Sequence, residues 1–374
     1  MPDYVSANLR TRGFDHFIGC DLEIGRHVHN GGRYYLHRFL FACRRFLCRG
    51  LCGTLASNLL ACLHHAVTIQ KQESPCYSAF VHPVRTISFV GAGALASGLA
   101  KLLRARGFII DEIITRSAPA SKRKAGVLAR SVGAEVSTLD TARLRCDVLW
   151  LAVPDGAIET VSRALAERAE LPSIALHASG ALNSTVLAAL AERGVQTGSA
   201  HPMMTFVAGE PPSLRGAWFA VEGSPTAVRA ARAVASKLGA KVFTIKPENK
   251  TLYHAFGAML SPMLATELES AEQVGLRAGI SARDVRRIME PIVTRTVQNV
   301  LRQGAGKSFS GPLARGDIGT VASHLETLSD SPEAHVYRAL MDYAIGALPV
   351  KRCDEMKRLL RKRGSGAGKR MSGA

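Results

Sequence analysis

A short apolar run, a glycine turn and a helix-like segment open the regularly patterned part of the chain, and they constrain its fold more than any other feature. Residues 85–90 have the length and apolar character of a buried strand. Gly91 permits a tight turn, Gly93 leaves room for a ligand at the backbone, and Ala96 lets helix and strand pack closely. A helix that starts there offers unpaired N–H groups to phosphates. The pattern therefore predicts a dinucleotide-binding loop made of Gly91, Ala92, Gly93, Ala94, Leu95 and Ala96.

Apolar strand-like runs alternate with helical patterns after this turn. Strands that are continuously apolar and separated by helices are typical of a parallel sheet covered on both faces. Past residue 248 the pattern is helical, with long helices predicted at 248–278, 282–303 and 332–349. We therefore predict an α/β fold, a doubly wound parallel sheet of the Rossmann type followed by a mainly α-helical C-terminal domain.

The charge and the patterning divide the chain into four regions. We predict a basic, cysteine-containing N-terminal extension at 1–84, a Rossmann-type domain at 85–246, a helical domain at 247–350 and a disordered basic tail at 351–374. The formal net charge is +18, and the last 24 residues alone hold 9 Lys or Arg against 2 Asp or Glu. Such a tail attracts phosphates or acidic membranes. No aromatic residues are interleaved in it, so we expect a solvated terminus without specific nucleic-acid binding.

Cysteine usage separates the extension from the rest of the chain. Six of the eight cysteines fall within residues 1–84, which leaves a core typical of a cytoplasmic protein without disulfides. A zinc site around Cys43, Cys48 and Cys52 is an alternative, but the paired two-residue spacing of common structural sites is missing, and we predict no metal. The uncharged stretch 51–69 has the length of a membrane span but contains several polar residues. We expect no membrane insertion and keep a tethered form as the alternative.

The end of the second predicted strand bears on the choice of cofactor. NAD-specific sites usually place an acidic residue there, whereas this chain has Arg116 and Ser117, with Arg116 standing 25 residues after Gly91. A guanidinium and a hydroxyl suit the 2′-phosphate of NADP. Lys122, Arg123 and Lys124 follow, although an exposed basic loop would look the same. We predict NADP as the cofactor.

Several polar residues follow strands at the carboxyl edge of the predicted sheet, where open α/β sheets bind ligands. Val153 and Pro154 end the fourth strand and are predicted to contact the cofactor. Asp155 is predicted to cap the next helix. Ser179 follows the fifth strand and His201 the sixth, and both are candidate catalytic residues, although a histidine packed beside a proline turn is an equal alternative for His201.

The first C-terminal helix carries polar residues spaced by three or four, which lie on one face of a helix. They are Lys250, Tyr253, His254, Gly257 and Ser261. Lys250 and His254 are predicted to donate a proton to a carbonyl or imine as a hydride arrives, with burial lowering the lysine pKa. An ordinary exposed helix surface is the alternative.

A loop rich in turn residues at 311–317 carries Arg315 and Asp317. Arg315 is predicted to hold a substrate carboxylate, with Asp317 and Ser261 beside the substrate. An Arg315–Asp317 ion pair that fastens the loop is the alternative.

Taken together, these motifs resemble those of Rossmann-like oxidoreductases that end in a domain of unknown function, DUF2520, related to the helical C-terminal domains of 6-phosphogluconate dehydrogenases. The similarity spans about residues 85–350 and rests on the glycine turn, Tyr253-His254 and the segments 177–181, 201–206 and 311–317. It implies an NADP-binding domain, a helical domain that forms a dimer, and a substrate cleft between them.

Two departures from the family pattern stand out. Residues 1–80 precede the usual start, and Ser261-Pro262 occupies a position where the family tends to have asparagine, which predicts a kink in the first long helix. The function we predict is hydride transfer between NADP(H) and a small carbonyl, imine or hydroxy acid. The alternative is a non-catalytic NADP(H) sensor or scaffold with the same fold.

Overall fold

A computed structural model of the protein describes residues 83–207 and 209–361. The predictions for the N-terminal extension, including the alternative zinc site and membrane span, fall outside these residues, as do residues 362–374. All the described residues belong to one compact unit.

Eight strands form a single sheet in the order β3-β2-β1-β4-β5-β6-β7-β8. Their bounds are β1 Thr86–Val90, β2 Ile109–Thr115, β3 Glu135–Thr138, β4 Val148–Leu151, β5 Ile174–His177, β6 Gln196–Pro202, β7 Trp218–Gly223 and β8 Lys241–Thr244. Every neighbouring pair is parallel except β6 and β7. The sheet is therefore mostly parallel, and β7 runs antiparallel to β6 because the described residues between them contain no helix to carry a crossover.

Helices cover both faces of the sheet. They are α1 Ala94–Ala105, α2 Pro119–Val132, α3 Asp155–Ala166, α4 Ala188–Glu192 and α5 Pro225–Lys237. The strand side chains alternate between two cores: Phe89 and Trp150 belong to one, and Val90 and Leu151 to the other. Because both faces are buried, the central strands β1, β4 and β5 are mainly apolar instead of alternating with polar residues. This confirms the predicted α/β sheet of the Rossmann type.

The chain becomes helical after β8. The helices are α6 Lys250–Ala258, α7 Leu264–Arg277, α8 Ala282–Gln303, α9 Ala305–Ser308, α10 Pro312–Arg315, α11 Ile318–Leu328, α12 Pro332–Ala347 and α13 Cys353–Arg361. The change from sheet to helices falls between Thr244 and Lys250, and the boundary that we predict at residue 246 lies in this gap.

The predicted kink at Ser261-Pro262 takes the form of a π-helical turn over Met259–Met263, which joins α6 to α7. Proline has no N–H and crowds the preceding turn, so a regular α-helical bond is lost where Pro262 lies. The wider turn lets the chain continue as a helix instead of ending.

The predicted disordered tail is wrong for residues 353–361, which form α13. Met356 of this helix is fully buried in a small core together with Val321, Met341 and Ile345. Basic residues dominate the composition here and hide this amphipathic pattern, but one apolar stripe is enough to hold a short helix against its neighbours.

Candidate active site

The glycine turn joins β1 to α1 as the sequence predicts. Gly91 has a φ of +107°, and a side-chain carbon added to it would lie 2.5 Å from the carbonyl oxygen of Ala152. Gly93 faces open space, because nothing lies within 4 Å of the position of its missing side chain. Ala96 is fully buried. No side chain caps the N-terminus of α1, so its first N–H groups point outward from an open turn.

Arg116 and Ser117 directly follow β2 and are both exposed. The Arg116 guanidinium lies 3.5 Å from the hydroxyl of Ser121 on α2. β2 is parallel to β1, so its carboxyl end lies at the same edge as the glycine turn. Val153 and Pro154 follow β4 at this edge as well. The predicted cofactor residues therefore share one edge of the sheet.

The segment that continues β6 packs along one face of α6 and the π-helical turn. His201 contacts Tyr253, and a side chain on Gly257 would lie 2.9 Å from the Met203 sulfur. Thr205 Oγ1 lies 2.8 Å from Ser261 Oγ. The contacts recur every two residues along the extended segment, which is about 6.6 Å, and every four residues along the helix, which is about 6 Å. Because these distances are nearly equal, the two elements make three successive contacts.

His201 and Tyr253 form a hydrogen-bonded pair. The Tyr253 hydroxyl lies 2.9 Å from His201 Nδ1, and the two rings meet edge to face. Burial, helped by the positive charge of Lys250, lowers the pKa of His201 to about 3. Burial raises the pKa of Tyr253 above its ordinary value. At neutral pH the pair is therefore uncharged, and one proton is shared between hydroxyl and imidazole. The structure places His201 inside β6, where it pairs with Ala220, and not after the strand as predicted.

The imidazoles of His201 and His254 both lie next to Gly180, which follows the end of β5. A side-chain carbon on Gly180 would lie 2.6 Å from Cδ2 of His254 and 2.9 Å from Nε2 of His201. The rings of His201 and His254 meet edge to face at 6.1 Å, and His254 is exposed. The absent side chain at Gly180 thus leaves the space that both imidazoles use.

Lys250 lies beneath this site instead of opening into it. Its side chain is only 1% exposed, and its ammonium donates to the carbonyl oxygen of Ser179 and to the Ser199 hydroxyl, both at 2.7 Å. Burial lowers the pKa of Lys250 to about 8, while the charges of Glu222 and Asp155 oppose that shift. The prediction that Lys250 gives a proton to a substrate conflicts with this burial. What the ammonium does is fasten the end of β5 to β6.

Ser179 is similarly committed to local structure. Its hydroxyl donates to Asp155 Oδ2 at 2.8 Å and accepts from the N–H groups of Ala181 and Leu182. The predicted catalytic role of this hydroxyl conflicts with these bonds, because its single proton is already given to a carboxylate. Asp155 is the first residue of α3 and makes no side-chain cap, so the cap prediction is wrong and its carboxylate holds Ser179 instead.

Two further buried groups surround this network. Glu222 of β7 accepts from the N–H and the hydroxyl of Ser184, both at 2.8 Å. His177 at the end of β5 is fully buried, and burial together with the charge of Lys250 lowers its pKa to about 3. Because His177 is neutral, the charged groups among these buried residues are the Lys250 ammonium and the Glu222 carboxylate, which have opposite signs.

Arg315 and Asp317 have their partners among the C-terminal helices. Both carboxylate oxygens of Asp317 accept bonds from Thr320, so Asp317 caps α11, and these bonds lower its pKa. Arg315 is exposed at the end of α10. No ion pair joins the two residues, so the predicted fastening pair is not formed. The substrate role of Asp317 is at odds with its capping bonds.

Sequence reasoning missed Tyr253, Thr205 and Gly180 as site residues. The helical spacing of Tyr253 and Ser261 carried part of the signal, since it placed both on one face. The partner of that face lies about 50 residues earlier in the chain, and no local pattern pairs the two segments.

Among the described residues, no group of His, Cys, Asp and Glu is arranged to hold a metal ion. In the same part of the chain no helix has the length and apolarity needed to cross a membrane.

Two family models match the chain in succession. Residues 72–202 match the Rossmann-like domain, and residues 217–344 match the domain of unknown function DUF2520. The second match begins before β7, so β7, α5 and β8 belong to the DUF2520 segment although they extend the sheet. A comparison with curated proteins finds no match.

Solved structures show the same fold at low sequence identity. A protein from Bacteroides fragilis, proposed to be an NADP oxidoreductase, has a TM-score of 0.60 at 23% identity, covering 70% of this chain and 97% of that one. A Thermotoga maritima protein has a TM-score of 0.54 at 21% identity, covering 73% and 99%. The imine reductase of Myxococcus stipitatus in complex with NADP+ has a TM-score of 0.50 at 19% identity, covering 74% and 100%.

The order of the two matched segments agrees with the fold, because the glycine turn lies in the first and the Lys250–Ser261 helix face in the second. The chain thus carries a Rossmann-like domain followed by a DUF2520 domain.

Proposed function

We propose that this protein is a cytoplasmic NADP(H)-dependent oxidoreductase that transfers a hydride to or from a small carbonyl, imine or hydroxy acid. One observation carries the proposal. An open glycine turn and an uncharged His201–Tyr253 pair both belong to the carboxyl-edge region of one Rossmann-type sheet. Ligands of open α/β sheets bind at this edge.

The residues of the turn fit a dinucleotide. Gly93 leaves space above the first N–H groups of α1, which suit a pyrophosphate. Arg116 and Ser117 stand where the second strand ends, and they suit a ribose 2′-phosphate. When bound, the nicotinamide supplies or accepts the hydride. The Myxococcus stipitatus imine reductase, which has this fold, was solved with NADP+ and supports the choice of cofactor.

His201 is the group we assign to polarising the substrate through a hydrogen bond. When its Nδ1 accepts the Tyr253 hydroxyl proton, Nε2 carries a hydrogen and points toward Gly180. A neutral imidazole of low pKa donates a hydrogen bond to a substrate oxygen or nitrogen without being charged first. Tyr253 then holds the tautomer, and exposed His254 lies at the solvent side of the same space.

Lys250 is assigned a positioning role in this proposal. Its bonds to Ser179 and Ser199 fix the ends of β5 and β6, from which Gly180 and His201 extend. The buried ammonium also keeps His201 neutral through charge repulsion. Arg315 is kept as a candidate contact for a substrate carboxylate because its guanidinium is exposed.

We further propose that the active form is a homodimer built on α6, α7 and α8. Among the described residues, Leu252 and Phe256 of α6, Met263 of the π-helical turn and Ile292 of α8 are exposed. An apolar face of this extent is typical of an association surface.

The catalytic part of the proposal is tested by following NADPH consumption with a panel of ketones and imines, and NADPH formation from NADP+ with hydroxy acids. His201→Ala is expected to lower turnover of the best substrate about a hundredfold or more while NADPH binding stays intact. The matched control is His335→Ala, since His335 is exposed on α12. Equal turnover in the two variants would contradict the role of His201.

A sensor function is the second candidate, and a specific observation favours it. Lys250 and Ser179, two of the predicted catalytic groups, are bound into the structure and do not face a substrate. A sensor would bind NADPH as tightly as the enzyme does and show no turnover with any member of the panel.

A further inference from the structure

A basic groove lies between α12 and α13, in the C-terminal helices. It has a volume of about 470 Å³ and is lined by Arg338, Ala339, Asp342, Lys357, Leu360 and Arg361. Three of these six residues are cationic and one is acidic. The groove shares no residue with the glycine turn or with the His201–Tyr253 pair.

The helical spacing explains why the charges converge. Arg338 and Asp342 are four residues apart on α12, and Lys357 and Arg361 are four residues apart on α13. Residues at this spacing lie one turn apart on the same face of a helix. Two packed helices thus present their charged faces to a common space, and Ala339 and Leu360 are the apolar residues of its lining.

Packing holds these cations in place. Met356 of α13 is fully buried among residues of α11 and α12, so the helix cannot rotate without exposing it. The Arg338 guanidinium donates to the carbonyl oxygen of Leu360 at 3.4 Å, which directs it across the groove. Arg338, Lys357 and Arg361 make no ion pair in the described part of the chain, whereas Arg352 of the preceding loop is paired with Glu355.

We propose that this groove binds a small phosphorylated molecule through a diphosphate-like group. Arg338 on α12 and Lys357 and Arg361 on α13 place cationic groups on both walls of the groove. These cations match the several charged oxygens of a diphosphate. The volume accommodates a diphosphate together with a small organic part. The negative charge of Asp342 opposes the binding of anions, so we expect only ligands with several negative charges to bind. The proposal is independent of the oxidoreductase function.

Inorganic pyrophosphate is the probe, titrated into the full-length protein by calorimetry at about 0.15 M salt, where isolated surface charges are largely screened. We expect saturable binding at the groove in addition to binding at the glycine turn, and only the binding at the groove should respond to the variants that follow. Lys357→Gln and Arg361→Gln should each weaken it by about threefold to tenfold. Asp342→Asn should strengthen it by about the same factor, an effect of opposite sign that loss of folding cannot produce.

Two controls separate this groove from other anion sites. Arg358→Gln removes one charge from α13 outside the groove lining, and Arg116→Ala alters the proposed dinucleotide site. Both should leave pyrophosphate binding at the groove unchanged. Equal weakening by Arg358→Gln, or no effect of Asp342→Asn, would overturn the proposal. Binding to phosphatidylcholine vesicles that contain phosphatidylserine, without pyrophosphate binding, would overturn it in favour of a membrane surface.

Discussion

The sheet and the helices that follow it bury their apolar side chains to very different degrees. In β1, β4 and β5 every apolar residue after the first position is at most a few percent exposed, whereas α7 and the π-helical turn bury none of theirs completely. The long helix α8 buries only Val285. Since burial of apolar area is the main source of folding free energy, the sheet part contributes more of it, and α6 to α8 keep apolar side chains that the described residues do not cover. The difference is consistent with the homodimer that we propose, in which a second copy of the chain would cover the face that the described residues leave open.

The most direct test of this difference in burial is to remove one aromatic ring from each region. Phe89 is fully buried and stacked on Trp150, so Phe89→Ala should lower the free energy of unfolding by about 3–5 kcal/mol. Phe256 is 55% exposed, and Phe256→Ala should change the stability of the monomer by about 0.5 kcal/mol or less. Urea unfolding at low protein concentration measures both. Equal losses would refute the contrast.

A substitution on the exposed helices should have the next largest effect, which is on the association of two copies of the chain. Ile292 on α8 is 65% exposed, and Ile292→Glu would place an unpaired charge in the proposed interface twice per dimer. The dimer dissociation constant should rise about a hundredfold or more, read by sedimentation at several concentrations.

Val127→Glu is the matched control for this effect. Val127 on α2 is 62% exposed but stands on the sheet part, so its substitution should leave association unchanged. A wild-type protein that is monomeric at all concentrations would contradict the proposed interface.

A charge buried between the two regions gives a smaller, pH-dependent effect. The pKa of Lys250 is about 8 in the fold against 10.5 when free, so the unfolded chain holds more protons between these values. Stability therefore rises with pH over this window, by about 3 kcal/mol relative to Lys250→Met. Unfolding of both proteins at pH 7.5 and pH 10.5 gives the difference, in which other titrating groups cancel. If the difference in unfolding free energy between the two proteins does not change with pH, the Lys250 ammonium is exposed to solvent.

The smallest predicted change concerns the contact between the two regions at Gly180. Gly180→Ala must push His254 or His201 aside, and the turnover of a substrate should fall about tenfold with little loss of stability. Gly156→Ala on α3 is the control, since nothing lies within 4 Å of the side chain it adds. If both variants keep full turnover, the two imidazoles do not need their present spacing.

The sheet was predictable because its signals are local. Continuous apolar runs mark β1 and β4, and the Gly91–Gly93 turn marks the start of α1. The antiparallel β7 was not predictable in this way, since a strand's direction depends on the connection before it. The helix α13 was missed because its basic residues dominate the composition while only Met356 and its neighbours are buried.

The site was predictable only in part. The helical spacing placed Tyr253 and Ser261 on one face, but it could not show that the chain at His201 and Thr205 covers that face. The sequence also could not separate a catalytic lysine from a buried one, because both would be lysines on the same polar face of a helix. That distinction required the bonds of Lys250 to Ser179 and Ser199.

The central claim, NADP(H) binding at the glycine turn, is tested most directly by thermal unfolding in the presence of NADPH or NADH. NADPH at about one hundred times its dissociation constant should stabilise the protein by about 2.7 kcal/mol, and NADH at the same concentration by less. Arg116→Ala should remove the difference, while Arg130→Ala at the far end of α2 should keep it. No stabilisation by either nucleotide would contradict the account.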